Sequence, residues 1–153
     1  MVLVLVGTQK QDFSRIFKEI EKSELLKDEK IIAQSGYTKY DSKRIEMIPF
    51  MKREKLIELV KNADYIICHG GVGTIFDSLY EKKRILAVPR LEKYKEHIND
   101  HQIEVCKKLA EEGYILYFID GENFDEKIEL LKNKEFKEYK NDNKFLEVLR
   151  KEI

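Results

Sequence analysis

Three glycines, Gly70, Gly71 and Gly73, stand between His69 and Thr74, and an acid follows at Asp77. The apolar run at residues 65–68 leads into them, and Ile75 and Leu79 carry a helical spacing beyond. That order reads as a strand, a tight turn and a helix start. A helix start leaves backbone N–H groups unpaired and carries partial positive charge, so the turn suits an anion, above all a diphosphate. The glycines keep side chains from holding a ligand off the backbone. Close helix–sheet packing asks for the same glycines, and residue type alone leaves both readings open. Asp77, one helical turn after Thr74, is placed to accept hydrogen bonds from a ribose diol. A first-turn acid is also what the helix dipole favours.

A second polar cluster is His97, Asn99, Asp100, His101 and Gln102. His97 and His101 are four apart and would share a helix face, a spacing that suits a metal pair but has no third ligand beside it. Asp100, His101 and Gln102 offer donors and acceptors to hydroxyl groups, while Asn99 or Asp100 also makes an ordinary helix cap. Diphosphate turn, nearby acid and hydroxyl-binding cluster together point to a nucleotide sugar. The turn at Gly7, Thr8 and Gln9 has one glycine, which departs from the G-x-G-x-x-G dinucleotide fingerprint. No Gly-Lys-Ser/Thr occurs, so ATP hydrolysis of the P-loop class lacks support.

These residues need elements to carry them. Residues 2–6 form a continuous apolar run of the kind seen in a strand buried on both faces. Asp12 is a plausible cap for a helix bearing Phe13, Ile16, Phe17 and Ile20. Residues 31–34 read as a second strand and residues 45–50, broken by Pro49, as a third. Leu56, Ile57 and Val60 give the next helix its apolar stripe. Residues 85–88 make a strand stopped by Pro89, and the charged loop at residues 90–99 is longer than most βα connections. A helix with Ile103, Val105, Cys106 and Leu109 ends at Gly113. Residues 114–119 are the last strand and residues 123–131 the last helix. Phe145, Leu146 and Leu149 lie in a charged tail that would dock on the domain. Alternating strands and helices predict an α/β fold, a parallel sheet flanked by helices, with ligands at the strands' carboxyl ends. Four features converge there: the Gly7 turn, the Gly36 turn, residues 69–74, and the loop after Pro89.

At 153 residues the chain suits one nucleotide-sugar-binding domain, residues 1–153, with a helical tail from about residue 123. The 29 basic and 29 acidic side chains cancel, so net charge offers no argument for nucleic acid. Basic residues gather locally, among them Lys39, Lys52 and Arg53 in one run and Lys82, Arg84 and Arg90 in another. Such runs are solvated faces by default, and otherwise contacts for a membrane surface or a phosphorylated substrate. Cys68 and Cys106 sit in apolar patterns and read as buried free thiols in a reducing cytosol. No segment approaches the roughly 20 apolar residues of a spanning helix.

The start at residues 4–8, the segment from His69 to Thr74, Val88-Pro89-Arg90, and Asn99-Asp100-His101-Gln102 together resemble the small soluble subunits of two-piece glycosyltransferases. The nearest are the PssE or EpsF subunits of bacterial exopolysaccharide or capsule synthesis. More distant is the soluble subunit of the eukaryotic enzyme that adds the second N-acetylglucosamine to dolichol diphosphate. Both are similar to the C-terminal, donor-binding half of MurG-type transferases with the GT-B fold, a Rossmann-like domain. The resemblance covers most of residues 1–120.

It implies inverting transfer of a sugar from a UDP-sugar to a lipid-diphosphate-linked acceptor, with no cofactor and no metal. It also implies a membrane-anchored partner with the acceptor-binding half, and a cytoplasmic chain recruited to the inner membrane face. By match to the motif, Gly70, Gly71, Val72, Gly73 and Thr74 would face the diphosphate. Asp77 stands where larger relatives place a ribose-binding glutamate. His101 and Gln102 match the pair near the donor sugar, with Asp100 beside them. Thr8 and Gln9 lie on the facing loop, and His69 closes the strand beside the turn. The family's base usually lies in the acceptor half, which leaves His69 and His101 as weak candidates here. A non-catalytic subunit that enhances a partner transferase is the alternative. A donor half exposes the face its other half would cover, so self-association is a further expectation.

Overall fold

Residues 2–5, 31–34, 65–69 and 84–88 are apolar almost throughout, so each needs cover on both faces, and a helix-wrapped parallel sheet provides it. The computed structural model describes residues 1–140 and shows that arrangement. In chain order the elements are β1 (Val2–Leu5), α1 (Ser14–Lys22), β2 (Ile31–Gln34), β3 (Ile45–Ile48), α2 (Arg53–Asn62) and β4 (Tyr65–His69). There follow α3 (Val72–Tyr80), β5 (Arg84–Val88), α4 (His101–Glu111), β6 (Leu116–Tyr117) and α5 (Phe124–Asn133). The six strands pair in the order β3-β2-β1-β4-β5-β6, all parallel. The chain builds outward from β1 to β3, then returns to place β4 beside β1. The switch in strand order therefore lies between β1 and β4, where such sheets bind ligands.

The period-two alternation of β1 divides the core. Val2, Val4 and Val6 point to one face, with Phe13, Ile16, Phe17 and Ile20 of the α1 segment and Phe124, Ile128 and Leu131 of α5. Leu3 and Leu5 point to the other, against α2, α3 and α4. Burial of each such side chain is worth roughly 1.5–3 kcal/mol, and the two layers together hold β1 and β4 rigidly in the middle.

Several expectations are corrected. The last strand pairs only over Leu116–Tyr117, because the sheet edge has just Leu86 and Ala87 of β5 to meet it. Ile57 is 39% exposed; α2 turns Leu59 and Val60 inward instead, with Leu56 half-buried. Asp12 does not cap at the first helical turn's end but accepts from the Ser14 N–H and hydroxyl. Gly113 takes a left-handed φ of +87°, which closes α4 as expected. Cys68 and Cys106 are buried free thiols, and burial pushes the Cys68 thiol up to about 12. Phe145, Leu146 and Leu149 lie outside the described residues. No helix among those residues is long and apolar enough to cross a membrane.

Candidate functional site

β4 ends on His69 because the next residues cannot carry bulk. A methyl at Gly71 would lie 2.1 Å from Cε1 of the His69 ring, and one at Gly7 would lie 2.6 Å from its Nε2. A methyl at Gly70 would lie 2.8 Å from Cβ of Gln102 and 2.9 Å from Sγ of Cys106. Gly7, Gly70 and Gly71 are thus packing glycines. Gly73 alone in the turn faces open space. The packing reading of the glycine run holds at Gly70 and Gly71, and Gly73 has room beside it.

His69 is 7% exposed beneath this cover. Burial, reinforced by the Arg90 charge and His97, pulls its pKa down to about 4. The ring is neutral at pH 7 and a poor proton acceptor. Its Nε2 lies 3.3 Å from Oγ1 of Thr74, and its Nδ1 has no partner among the described residues.

α3 begins just above. Its N-cap is Gly71, with no side chain capping the helix and no acid in the first turn. Ile75 is the first residue whose N–H meets a backbone carbonyl, Gly71 O at 3.1 Å. The N–H groups of Val72, Gly73 and Thr74 have no partner among the described residues, which leaves this helix end with the partial positive charge an anion would meet.

Two hollows flank this end. Towards α4, a cleft of about 240 Å³ is lined by Gly71, Val72, His97, Asn99, His101 and Gln102, among others. Towards α2, an apolar groove of about 200 Å³ runs between Leu5, Leu56, Ile57 and Val60, with Thr74 and Asp77 on its other wall. Asp77 and His101 therefore stand on opposite sides of the α3 N-terminus and do not share one pocket. Thr8 and Gln9 are exposed in the turn after β1 and line neither hollow.

Gln102 lines the cleft and is also engaged within the fold. Its amide oxygen accepts from the Gly70 N–H at 3.0 Å and the Arg90 N–H at 2.9 Å, so it fastens the β4 turn to the end of β5. Asp100 is engaged too, accepting from the Glu92 N–H at 2.8 Å. Asn99, one residue before the α4 N-cap Asp100, accepts from the His101 N–H at 3.1 Å. His97 lies before α4, not on it, so the proposed i, i+4 helical pair with His101 does not form. Among the described residues no cluster of three His, Cys, Asp or Glu is arranged for a metal.

Arg90, expected in a solvated basic run, is fully buried. Its guanidinium donates to Val6 O at 2.8 Å, Gln11 O at 2.9 Å and Glu96 O at 3.0 Å, and lies 4.7 Å from the Phe13 ring centre. Burial lowers its pKa to about 10, opposed by the Glu96 carboxylate, so it stays charged at neutral pH. Sequence reasoning missed Arg15 and Glu96, which make an ion pair at 2.9 Å between a half-buried guanidinium and a buried carboxylate. One sits among polar residues on a helix and the other in a charged loop, and no local pattern separates them from solvated neighbours.

Residues 1–153 match the glycosyltransferase family 28 C-terminal domain. The chain belongs to this family. Among relatives of family 28 domains, the UDP-N-acetylglucosamine transferase subunit ALG13 of Candida albicans is 24% identical over 110 residues, covering 71% of this chain and 35% of the relative. The Homo sapiens protein of the same name is 37% identical over 65 residues, 42% of this chain and 5% of that protein. This family 28 domain thus spans about a third of the fungal relative and far less of the human one. In structure it is similar to the glycosyltransferase SnogD from Streptomyces nogalater, with TM-score 0.57 and 16% identity over 86% of this chain and 34% of that one. It is similar also to the glycotransferase of kitacinnamycin, with TM-score 0.60 and 16% identity over 98% and 38%. The fold is the Rossmann-like C-terminal domain of GT-B glycosyltransferases.

Proposed function

We propose that this chain is the donor-binding half of an inverting glycosyltransferase, moving a sugar from a UDP-sugar to a lipid-diphosphate-linked acceptor in exopolysaccharide or capsule synthesis. The observation that carries this reading is the α3 N-terminus at the β1/β4 switch point. Three free N–H groups stand there beside an open Gly73 and the Thr74 hydroxyl. A diphosphate at that end is held by the N–H groups and the helix dipole. The same groups stabilise the negative charge that UDP gains as it leaves the sugar.

The flanking hollows divide the rest of the donor. The groove walled by Leu5, Leu56 and Val60 has the apolar sides a flat base needs, and Asp77 offers its carboxylate to ribose hydroxyls. The cleft beyond Gly71 presents His97 and His101 to the sugar hydroxyls. Thr8 and Gln9, exposed on the same sheet edge, are proposed to close on the donor from the facing side. No carboxylate lines the cleft among the described residues, and His69 is too weak a base. The base that activates the acceptor hydroxyl is proposed to come from a membrane-anchored partner half on the cytoplasmic face, with His101 on the cleft wall as this chain's own candidate. The naming of the relatives as transferase subunits supports that division of labour.

Titration calorimetry with UDP tests the reading: the chain is expected to bind UDP, and lack of binding at millimolar UDP, with and without the partner half, would sink it.

A further inference from the structure

The loop at residues 90–99 forms one wall of the cleft, yet four consecutive residues in it, Glu92, Lys93, Tyr94 and Lys95, are exposed. Leu91 is the buried apolar side chain of the loop, and polar contacts hold the stretch that follows. Glu96, 3% exposed, accepts from Nε and Nη2 of Arg15 at 3.0 and 2.9 Å, a bidentate pair, and from the Leu91 N–H at 3.0 Å. The same Arg15 fork donates to Pro89 O at 2.8 Å and to Oδ1 of Asp120 at 3.2 Å. Asp120 also takes the Tyr94 hydroxyl and the Lys93 ammonium. One side chain of α1 thereby ties together the end of β5, the loop, and the β6–α5 connection. His97 follows Glu96 directly, and Asn99 and His101 come next, so the clamp sets where the cleft wall stands.

We propose that Arg15 and Glu96 are the positioning pair of the donor cleft, holding the loop so that His97, Asn99 and the start of α4 face residues 70–72. This rests on the donor-site reading. Neither side chain lines the cleft; their effect passes through the loop. A pre-set wall spares the donor the cost of ordering ten residues on binding. Arginine suits the task because its planar fork engages both carboxylate oxygens and still reaches the Pro89 carbonyl, which an ammonium group does not reproduce.

The test compares Arg15→Met, Arg15→Lys, Glu96→Gln and the Arg15→Met/Glu96→Gln double variant. Affinities for UDP-N-acetylglucosamine and for UDP alone are measured by calorimetry well below each unfolding midpoint, with amide hydrogen exchange across residues 90–101 as a second readout. The expected result is roughly tenfold or greater loss of UDP-N-acetylglucosamine affinity in Arg15→Met and Glu96→Gln, a smaller loss in Arg15→Lys, no further loss in the double variant, and a smaller change for UDP alone. Exchange in the loop is expected to speed up. A merely structural pair would lower the midpoint and leave the affinity of folded protein unchanged. If the wild-type chain binds UDP-N-acetylglucosamine and both Arg15→Met and Glu96→Gln bind it within twofold of wild type, the positioning role is overturned while the donor reading stands. If the wild-type chain binds neither ligand, with or without the partner half, both fall together.

Discussion

Adjacent glycines in the turn have opposite jobs, and substitution separates them. At Gly71 a methyl would press on the buried His69 ring, which Gly7 blocks from retreating. Gly71→Ala is expected to destabilise the protein by roughly 2–3 kcal/mol, read by denaturant unfolding. At Gly73 nothing stands in the way, and a helical alanine is favoured over glycine by up to about 1 kcal/mol. Gly73→Ala is therefore expected to fold at least as stably as wild type. Its methyl sits beside the free N–H groups, so weaker UDP binding in calorimetry is the second half of the expectation. Unchanged affinity would place the diphosphate elsewhere. The sequence shows three equivalent glycines; which one meets a ligand depends on what each Cβ would touch.

Between elements, one neutral side chain does the joining at the centre of the sheet edge. Gln102 on α4 accepts from two buried N–H groups, one after β4 and one after β5. Gln102→Ala leaves both unpaired, and each buried unsatisfied group costs about 1–3 kcal/mol. A loss of roughly 2–5 kcal/mol in denaturant unfolding is expected, and Gln102→Glu, which keeps an acceptor, is expected to lose less. Element existence was legible throughout residues 1–133, because apolar runs and helical spacing report burial directly. Element facing was less so. Ile57 fits a helical stripe on paper yet faces out, since the sheet below α2 is met by Leu59 and Val60. The charged loop gave no hint that Arg90 and Glu96 lie inside, because its composition is that of a solvated segment.

For the whole molecule, His69 makes stability depend on pH. Its folded pKa, about 4, lies below the ordinary 6.5. Between those values the unfolded chain takes up a proton that the folded chain refuses, so stability is full above about pH 6.5 and falls as pH drops towards 4. The loss saturates at roughly 3 kcal/mol below that. Unfolding free energies measured across this window should converge between wild type and His69→Gln as pH falls, and parallel curves would refute the assignment.

The repeating pattern of apolar runs and amphipathic segments determined the α/β fold, because a strand without polar residues can only be covered on both sides. The order of motifs determined which turn carries the glycine run at the start of a helix. Tertiary structure alone decided three things. It put Asp77 and His101 on opposite flanks of α3, gave Gln102 a clasp between the ends of β4 and β5, and drew Arg15 to Glu96 across 81 positions of sequence. Each is a contact between elements distant in the chain. Local spacing reports which residues share a face of one helix or strand, and carries no record of what another element brings to meet them.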